Sequence, residues 1–364
     1  MFYTFVKYLY GSIREYYDYR AQYRSDNDFE IVEETVNGVL TIVVYYHPVP
    51  NSFVGITQFL RFKKWQKAYD IGWKYLLQKF GKPDGVHVQV AWRAGLFAMQ
   101  LKKKFNIPFI VSEHWSGYNK SVGTYKGFFL KTNLPKIISD AEVVAPINHR
   151  IIDHMIHRGL KSEYTVVSNV VDTDLFKPIS HQNKVCRFIH VSNFKLEKNT
   201  AGILRAAKKL LEQQNDFELI LAGGNTYFDE TKKAYDELGL DEKHVRLIKK
   251  LSPEEVRNEM QRSDVFLLFS HYEGMPCTII EAWACGLPVL SSNVGGISEW
   301  LDESNGKLVE KANEDELTSA MSWMIDNYNK FDKDAIRKFA ADHFSAQVIA
   351  KQFDDLYHHY FSKD

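Results

Sequence analysis

The stretch Phe269-Ser270-His271-Tyr272-Glu273-Gly274-Met275-Pro276-Cys277-Thr278-Ile279-Ile280-Glu281-Ala282-Trp283-Ala284-Cys285-Gly286-Leu287-Pro288 decides the fold. Its apolar lead-in, residues 265–269, reads as a buried strand. Gly274 and Pro276 turn the chain into a loop, and from about Thr278 apolar residues recur at helical spacing. Residues 288–291 then read as the next strand. On the other side, Ser252-Pro253-Glu254-Glu255 starts a helix, with an N-cap, proline at the first helical position and acids in the first turn. Strands at 187–191, 218–221 and 245–248, with a helix over 201–213, extend the pattern backwards. Residues 86–90, 94–104 and 108–111 repeat strand, helix and strand in the first half. Such alternation specifies βα units on parallel sheets, an α/β fold.

A chain of 364 residues suits two domains of roughly 150 to 200 residues each. The pattern breaks over 177–184, where Pro178, Ser180, Gln182 and Asn183 cluster. Residues 1–177 and 178–345 are therefore expected to form two Rossmann-like domains, with a helix over 346–364 packing back on the first. The first 38 residues, rich in tyrosine and charge, do not fit. The first convincing strand lies over 40–45, so the first domain is expected to lack its usual opening strand and glycine loop. No apolar run approaches the roughly 20 residues that span a bilayer, and no leader opens the chain. Cys186, Cys277 and Cys285 form no CxxC pair, which fits buried free thiols in a reducing cytoplasm.

The net charge of +0 hides an asymmetry. Residues 51–136 carry 15 Lys plus Arg against three acids, Asp70, Asp84 and Glu113. The halves 1–177 and 178–364 stand at +7 and −7. The basic region from Arg61 to Lys136 is either a solvated lysine face or a surface for an anionic partner, a membrane or a lipid-linked phosphate. Nucleic acid is not expected, because the aromatic–basic signatures of RNA modules are missing.

The chemistry sits in the loop at 269–278. Ligands of open α/β sheets lie at the carboxyl ends of strands, and the first amides of a helix form an anion site. Glu273 and Glu281 are eight residues apart, about 12 Å along a helix. Two acids flanking a diphosphate site can accept from the hydroxyls at both ends of a nucleotide sugar. A solvated helix face is the plainer reading of such a pair, and the strand–loop–helix setting outweighs it.

These residues resemble the retaining glycosyltransferases of family 4, which have two facing Rossmann-like domains, the GT-B architecture. Glu273 and Glu281 match the family's pair of glutamates, and Ala284-Cys285-Gly286-Leu287-Pro288 and Val294-Gly295-Gly296-Ile297 match the segments that follow. The resemblance implies that Glu273 contacts the donor sugar, that Gly274, Met275, Cys277 and Thr278 approach sugar and phosphate through their backbone, and that Glu281 binds the ribose. Pro276 lacks an N–H and cannot share in this. Phe188-Ile189-His190-Val191-Ser192-Asn193-Phe194-Lys195-Leu196-Glu197-Lys198-Asn199 is similar to the family's strand–loop motif. Lys198 matches its phosphate-binding lysine. Asn193 stands at the usual arginine position, and Lys195 can supply the missing charge. In the first domain, Val111-Ser112-Glu113-His114-Trp115 places His114 where the family's histidine reaches the donor sugar. Asp172-Thr173-Asp174 lies ahead of the linker and reads as a turn rather than a metal-binding DxD. His149, His154, His157, His358 and His359 lack the ligand company of a zinc site.

The likeness implies metal-free transfer of a hexose from a nucleotide-diphosphate sugar to a hydroxyl of a polysaccharide or lipid-linked glycan precursor, with retention of configuration. No cofactor is expected. The site is expected at the cytoplasmic side, peripheral to the membrane's inner face. A nucleotide-sugar epimerase or hydrolase of the same architecture, or a non-catalytic nucleotide-sugar-binding homologue, are the rival readings.

Overall fold

The computed structural model describes residues 10–15, 28–36, 38–46, 54–214, 216–224 and 227–362. The first half runs β1 (Tyr10–Glu15), β2 (Phe29–Val36), β3 (Val39–Tyr46), α1 (Val54–Phe80), β4 (Val86–Gln89), α2 (Ala94–Phe105), β5 (Phe109–Glu113), α3 (Phe128–Asp140), β6 (Val144–Pro146) and α4 (His149–Ile156). The second half follows with β7 (Cys186–Ser192), α5 (Thr200–Leu211), β8 (Phe217–Gly223), α6 (Phe228–Glu237), β9 (Val245–Lys249), α7 (Pro253–Gln261) and β10 (Val265–Leu268). It ends with α8 (Cys277–Ala284), β11 (Val289–Ser292), β12 (Gly306–Val309), α9 (Glu314–Asn327), α10 (Lys333–Phe344) and α11 (Ala346–Phe361).

The second half is built on a six-stranded, all-parallel sheet in the order β12-β11-β10-β7-β8-β9. Strands of this sheet are covered on both faces, so β10 reads as an unbroken apolar run and β8 as one interrupted only by Glu218. The order reverses between β7 and β10, which is where open α/β sheets leave a crevice. Local signals agree with the elements. Ser252 and Glu255 close a reciprocal capping box at the start of α7.

In the first half, β4, β5 and β6 form a parallel sheet. A separate three-stranded sheet, β1-β3-β2, pairs β1 parallel and β2 antiparallel to β3. A strand unread in the sequence does precede β3, at Tyr10–Glu15, but it pairs in this separate sheet and not with β4, β5 and β6, and the loop after it lies outside the described residues. The strand's sequence YGSIRE gives no apolar alternation, so pairing with the strongly apolar β3 defines it rather than its own pattern.

The last helix, α11, lies on the first half's sheet. Phe361 packs with Ile110 and Val143, Ile349 packs with Ala145 and Val167, and His87 Nδ1 is 2.6 Å from the Tyr357 hydroxyl. Arg337 of α10 reaches the carbonyls of Thr173, Phe176 and Ala284, tying the connection between the halves to α8. One apolar cluster joins Val111 and Ile147 of the first half to Met275, Ile279 and Trp283 of the second.

Candidate active site

The two loops singled out by sequence leave adjacent strands at the point of reversal, β7 and β10. A chain of short contacts shapes the first. His190 is fully buried; its Nδ1 lies 2.9 Å from the Leu267 carbonyl and its Nε2 2.8 Å from the Ser192 hydroxyl. Burial, with Lys198's charge nearby, holds its pKa down at about 4, so the ring is neutral. Nδ1 therefore donates to Leu267, Ser192 donates to Nε2, and the Ser192 oxygen accepts from the Phe194 amide. Phe194 itself sits at φ 58, and Gly223 and Gly224 let the neighbouring strand end come close: a Cβ on Gly223 would stand 1.9 Å from the Ser192 carbonyl oxygen.

This path delivers Lys198 to the second loop. Lys198 Nζ donates to Glu273 Oε1 at 2.7 Å, and the Ser270 hydroxyl donates to the same oxygen at 2.6 Å. Both charged side chains are mostly covered, at 18% and 9% exposure. Asn193 and Lys195 remain exposed on the rim, the Asn193 side chain accepting from the Lys195 amide at 3.2 Å. Met275 is buried in the shared core, so only its backbone is available to a ligand. Cys277 is exposed, correcting the expectation that all three thiols are buried; it opens α8 at the loop. Thr278 is half-buried. The first turn of α8 carries no side-chain cap. Glu281, on the same helix, is half-buried, and burial raises its carboxyl pKa.

The Gly295-Gly296 turn holds this loop from behind. Gly295 has φ +59 and a Cβ there would meet the Glu273 carbonyl oxygen at 2.1 Å, while the Gly296 amide donates to Gly274 O at 2.8 Å.

The first half closes against the same loop. Gly274 faces Ile147, and Asn169 Nδ2 donates to the Met275 carbonyl at 2.7 Å. Asn169 also hydrogen-bonds His114, whose ring is partly covered, and that partial burial lowers its pKa. His114 is thus linked to the Met275 backbone through one side chain. Glu113, fully buried beside it, accepts from the amides of Ala91, His114 and Trp115 and from the Tyr118 hydroxyl. Glu299 accepts from the amides of His149 and Arg150 at 2.9 and 2.8 Å, placing a carboxylate of the second half on the N-terminus of α4. A small gap remains between Asn119, Arg150 and His154 on one side and Tyr272, Glu273 and Gly295 on the other.

Sequence reasoning missed Ser270, Asn148, Asn169 and Glu299. Asn148, an N-cap just before an apolar-periodic helix, was the legible one. Asn169 and Glu299 act across the cleft, which no local pattern encodes. Asp172 turns on itself, its Oδ1 accepting from the amides of Asp174 and Leu175.

An all-parallel sheet with a cationic and an anionic side chain meeting at its reversal point, facing a second Rossmann-like domain, defines the class as a GT-B glycosyltransferase. The chain belongs to family 4 of these enzymes. Its residues 171–340 match the family described as "Glycosyl transferases group 1", and residues 23–175 match "Glycosyltransferase Family 4". It is 25% identical over 296 residues to an uncharacterized glycosyltransferase of Methanocaldococcus jannaschii, covering 80% of this chain and 77% of that one. It is 24% identical over 236 residues to the N-acetyl-alpha-D-glucosaminyl L-malate synthase of Bacillus anthracis, covering 61% and 60%. The fold is similar to sucrose-phosphate synthase from Thermosynechococcus elongatus (TM-score 0.75, 20% identity, 92% of this chain and 86% of that one). It is also similar to Anabaena HepE in complex with UDP and glucose (TM-score 0.67, 17% identity, 86% and 85%).

Proposed function

We propose that this glycosyltransferase moves a hexose from a nucleotide-diphosphate sugar to a hydroxyl of a polysaccharide or lipid-linked glycan precursor, with retention and without a metal. The observation that carries the reading is the Lys198–Glu273 pair at the reversal of the sheet. Glu273 takes the hydroxyls of the donor sugar, with Ser270 holding its carboxylate in place. Lys198 then turns to the diphosphate, helped by Lys195, Asn193 and the backbone of Gly274, Met275, Cys277 and Thr278 at the start of α8. Negative charge grows on the departing diphosphate, so fixed cations and amides there lower the barrier most, in the role a metal fills elsewhere. Glu281 accepts from the ribose hydroxyls.

His114 approaches the transferred sugar from the opposite domain, fixed by Asn169. Retention follows from same-face attack, in which the leaving phosphate oxygen takes the proton of the acceptor hydroxyl as the new glycosidic bond forms. Closure of the halves keeps water from competing with that hydroxyl. The enzyme works at the cytoplasmic face of a membrane, where the basic surface from Arg61 to Lys136 meets anionic lipid.

A thermal-shift screen against nucleotide sugars, with and without a chelator, tests the donor, because a true donor stabilises the folded chain by mass action. Proton NMR of the product then reads the anomeric configuration. Stabilisation by no nucleotide sugar, an inverted product, or a sugar altered without any acceptor overturns the proposal.

A further inference from the structure

The first half exposes an aromatic patch on its helices α1 and α3. Phe128 and Phe129 open α3 and are 85% and 46% exposed, where a helix start normally carries polar caps and acids. Gly127 before them supplies no side-chain cap, and the first turn has no acid. On α1, Phe59 and Leu60 are likewise exposed. The two helices share this face: the Phe62 ring lies 5.0 Å from Phe129, and Phe59 is one turn before Phe62 on α1.

Cations frame the patch. Lys63 Nζ sits 5.7 Å over the Phe59 ring, and Lys126 and Lys131 flank the Phe128-Phe129 pair, all three exposed. Acids keep away. Within 51–136 only Asp70, Asp84 and Glu113 are acidic, Glu113 is buried, and Asp70 lies two turns beyond Phe62 along α1. Exposed aromatics inside a ring of lysines match the headgroup region of an anionic bilayer, where rings enter the interface and ammonium groups meet phosphate. Phe129 also stacks edge-on to Trp92 at 5.8 Å, and Trp92 lies in the turn between β4 and α2, at the carboxyl edge that faces the cleft.

We infer that Phe59, Leu60, Phe128 and Phe129 form a membrane-inserting tip that seats the first domain on an anionic lipid surface beside its acceptor entrance. This rests on the peripheral placement proposed above and adds apolar insertion to charge attraction.

Cosedimentation of the full chain with vesicles of phosphatidylglycerol and phosphatidylcholine, against phosphatidylcholine alone, tests it at low and high salt. The wild type should bind the anionic vesicles and keep residual binding at high salt. The double variant Phe59→Ser, Phe128→Ser should bind about tenfold more weakly. Lys63→Ala with Lys131→Ala should chiefly reduce the salt dependence. Nucleotide-sugar stabilisation, read separately, should be unchanged in every variant; its loss in the wild type would count against the donor reading alone. Salt-sensitive binding that the phenylalanine variant leaves intact sinks insertion while charge attraction survives. Absence of binding sinks both. Self-association in light scattering that the phenylalanine variant abolishes would make the patch a contact between copies and overturn the inference.

Discussion

Lys198 Nζ and Glu273 Oε1 meet at 2.7 Å although 75 residues separate them in the chain. In the function proposed above, each holds the other until the donor arrives, its phosphate drawing the lysine and its sugar hydroxyls the glutamate. Such a pair stores two opposite specificities in one contact and keeps both groups out of solvent.

Removing either partner should therefore affect catalysis more than folding. Lys198→Ala leaves a mostly covered carboxylate with Ser270 as partner, at a stability loss on the order of 1–2 kcal/mol. Turnover should fall by about 100-fold or more, as when one charge-stabilising group is lost elsewhere. Steady-state kinetics with thermal denaturation checks both, and a stability loss with full turnover would refute the assignment.

Glu281 and Glu273 should separate by function. On the proposed role of its half-buried carboxyl at the ribose, Glu281→Ala should shrink the thermal shift produced by the free nucleoside diphosphate. Glu273→Gln should leave that shift largely intact and impair transfer. Titrating both variants with nucleotide and with nucleotide sugar decides the matter.

Gly295→Ala should be worse than Gly274→Ala. At Gly295 the new Cβ meets a carbonyl oxygen at 2.1 Å and φ is +59, an unfavourable conformation costing about 1–2 kcal/mol before any clash. At Gly274 the contact is 3.2 Å from the tip of Ile147, which can move. Melting temperatures of the two variants should rank in that order, with transfer falling alongside stability for Gly295→Ala.

Glu299→Ala should loosen the two halves. It deletes two charge-assisted bonds to the amides of His149 and Arg150, together on the order of 2 kcal/mol. Small-angle scattering should then give a larger radius of gyration, and the donor KM should rise. An unchanged radius would mean that the apolar contact of Ile147 and Met275 suffices.

Acid should destabilise the chain through His87 and His190. Both are held at about 4 by burial, against 6.5 in an exposed chain. Between those values the unfolded state takes up protons that the folded state refuses, so stability falls as pH drops from about 6.5 to 4. Each contributes on the order of 3 kcal/mol at most. Glu113 and Glu281, whose pKa values burial raises, act in the opposite sense. Comparing wild type with His190→Gln isolates one histidine: the variant should lose less stability across that window in denaturant titrations at stepped pH.

Much of this protein was legible in one dimension. Strands β7 to β11 and helices α5, α7 and α8 follow from apolar runs, caps and glycines, because each burial pattern is local, while the charged helix α6 was not read from the sequence. Glu273 and Glu281 stood out in the sequence because they flank a strand–loop–helix junction whose first amides are free for an anion, whereas Lys198 and the 294–297 turn stood out only through their resemblance to the family's motifs. The strand at Tyr10–Glu15 was not legible, since its sequence has no alternation of its own. What tertiary structure alone decided is who meets whom: that Lys198 grips Glu273, that Asn169 joins His114 to Met275, and that Glu299 crosses to α4. Those contacts span 55 to 150 residues of chain, and the order of strands and the facing of two domains set them, which no local spacing of residues can specify.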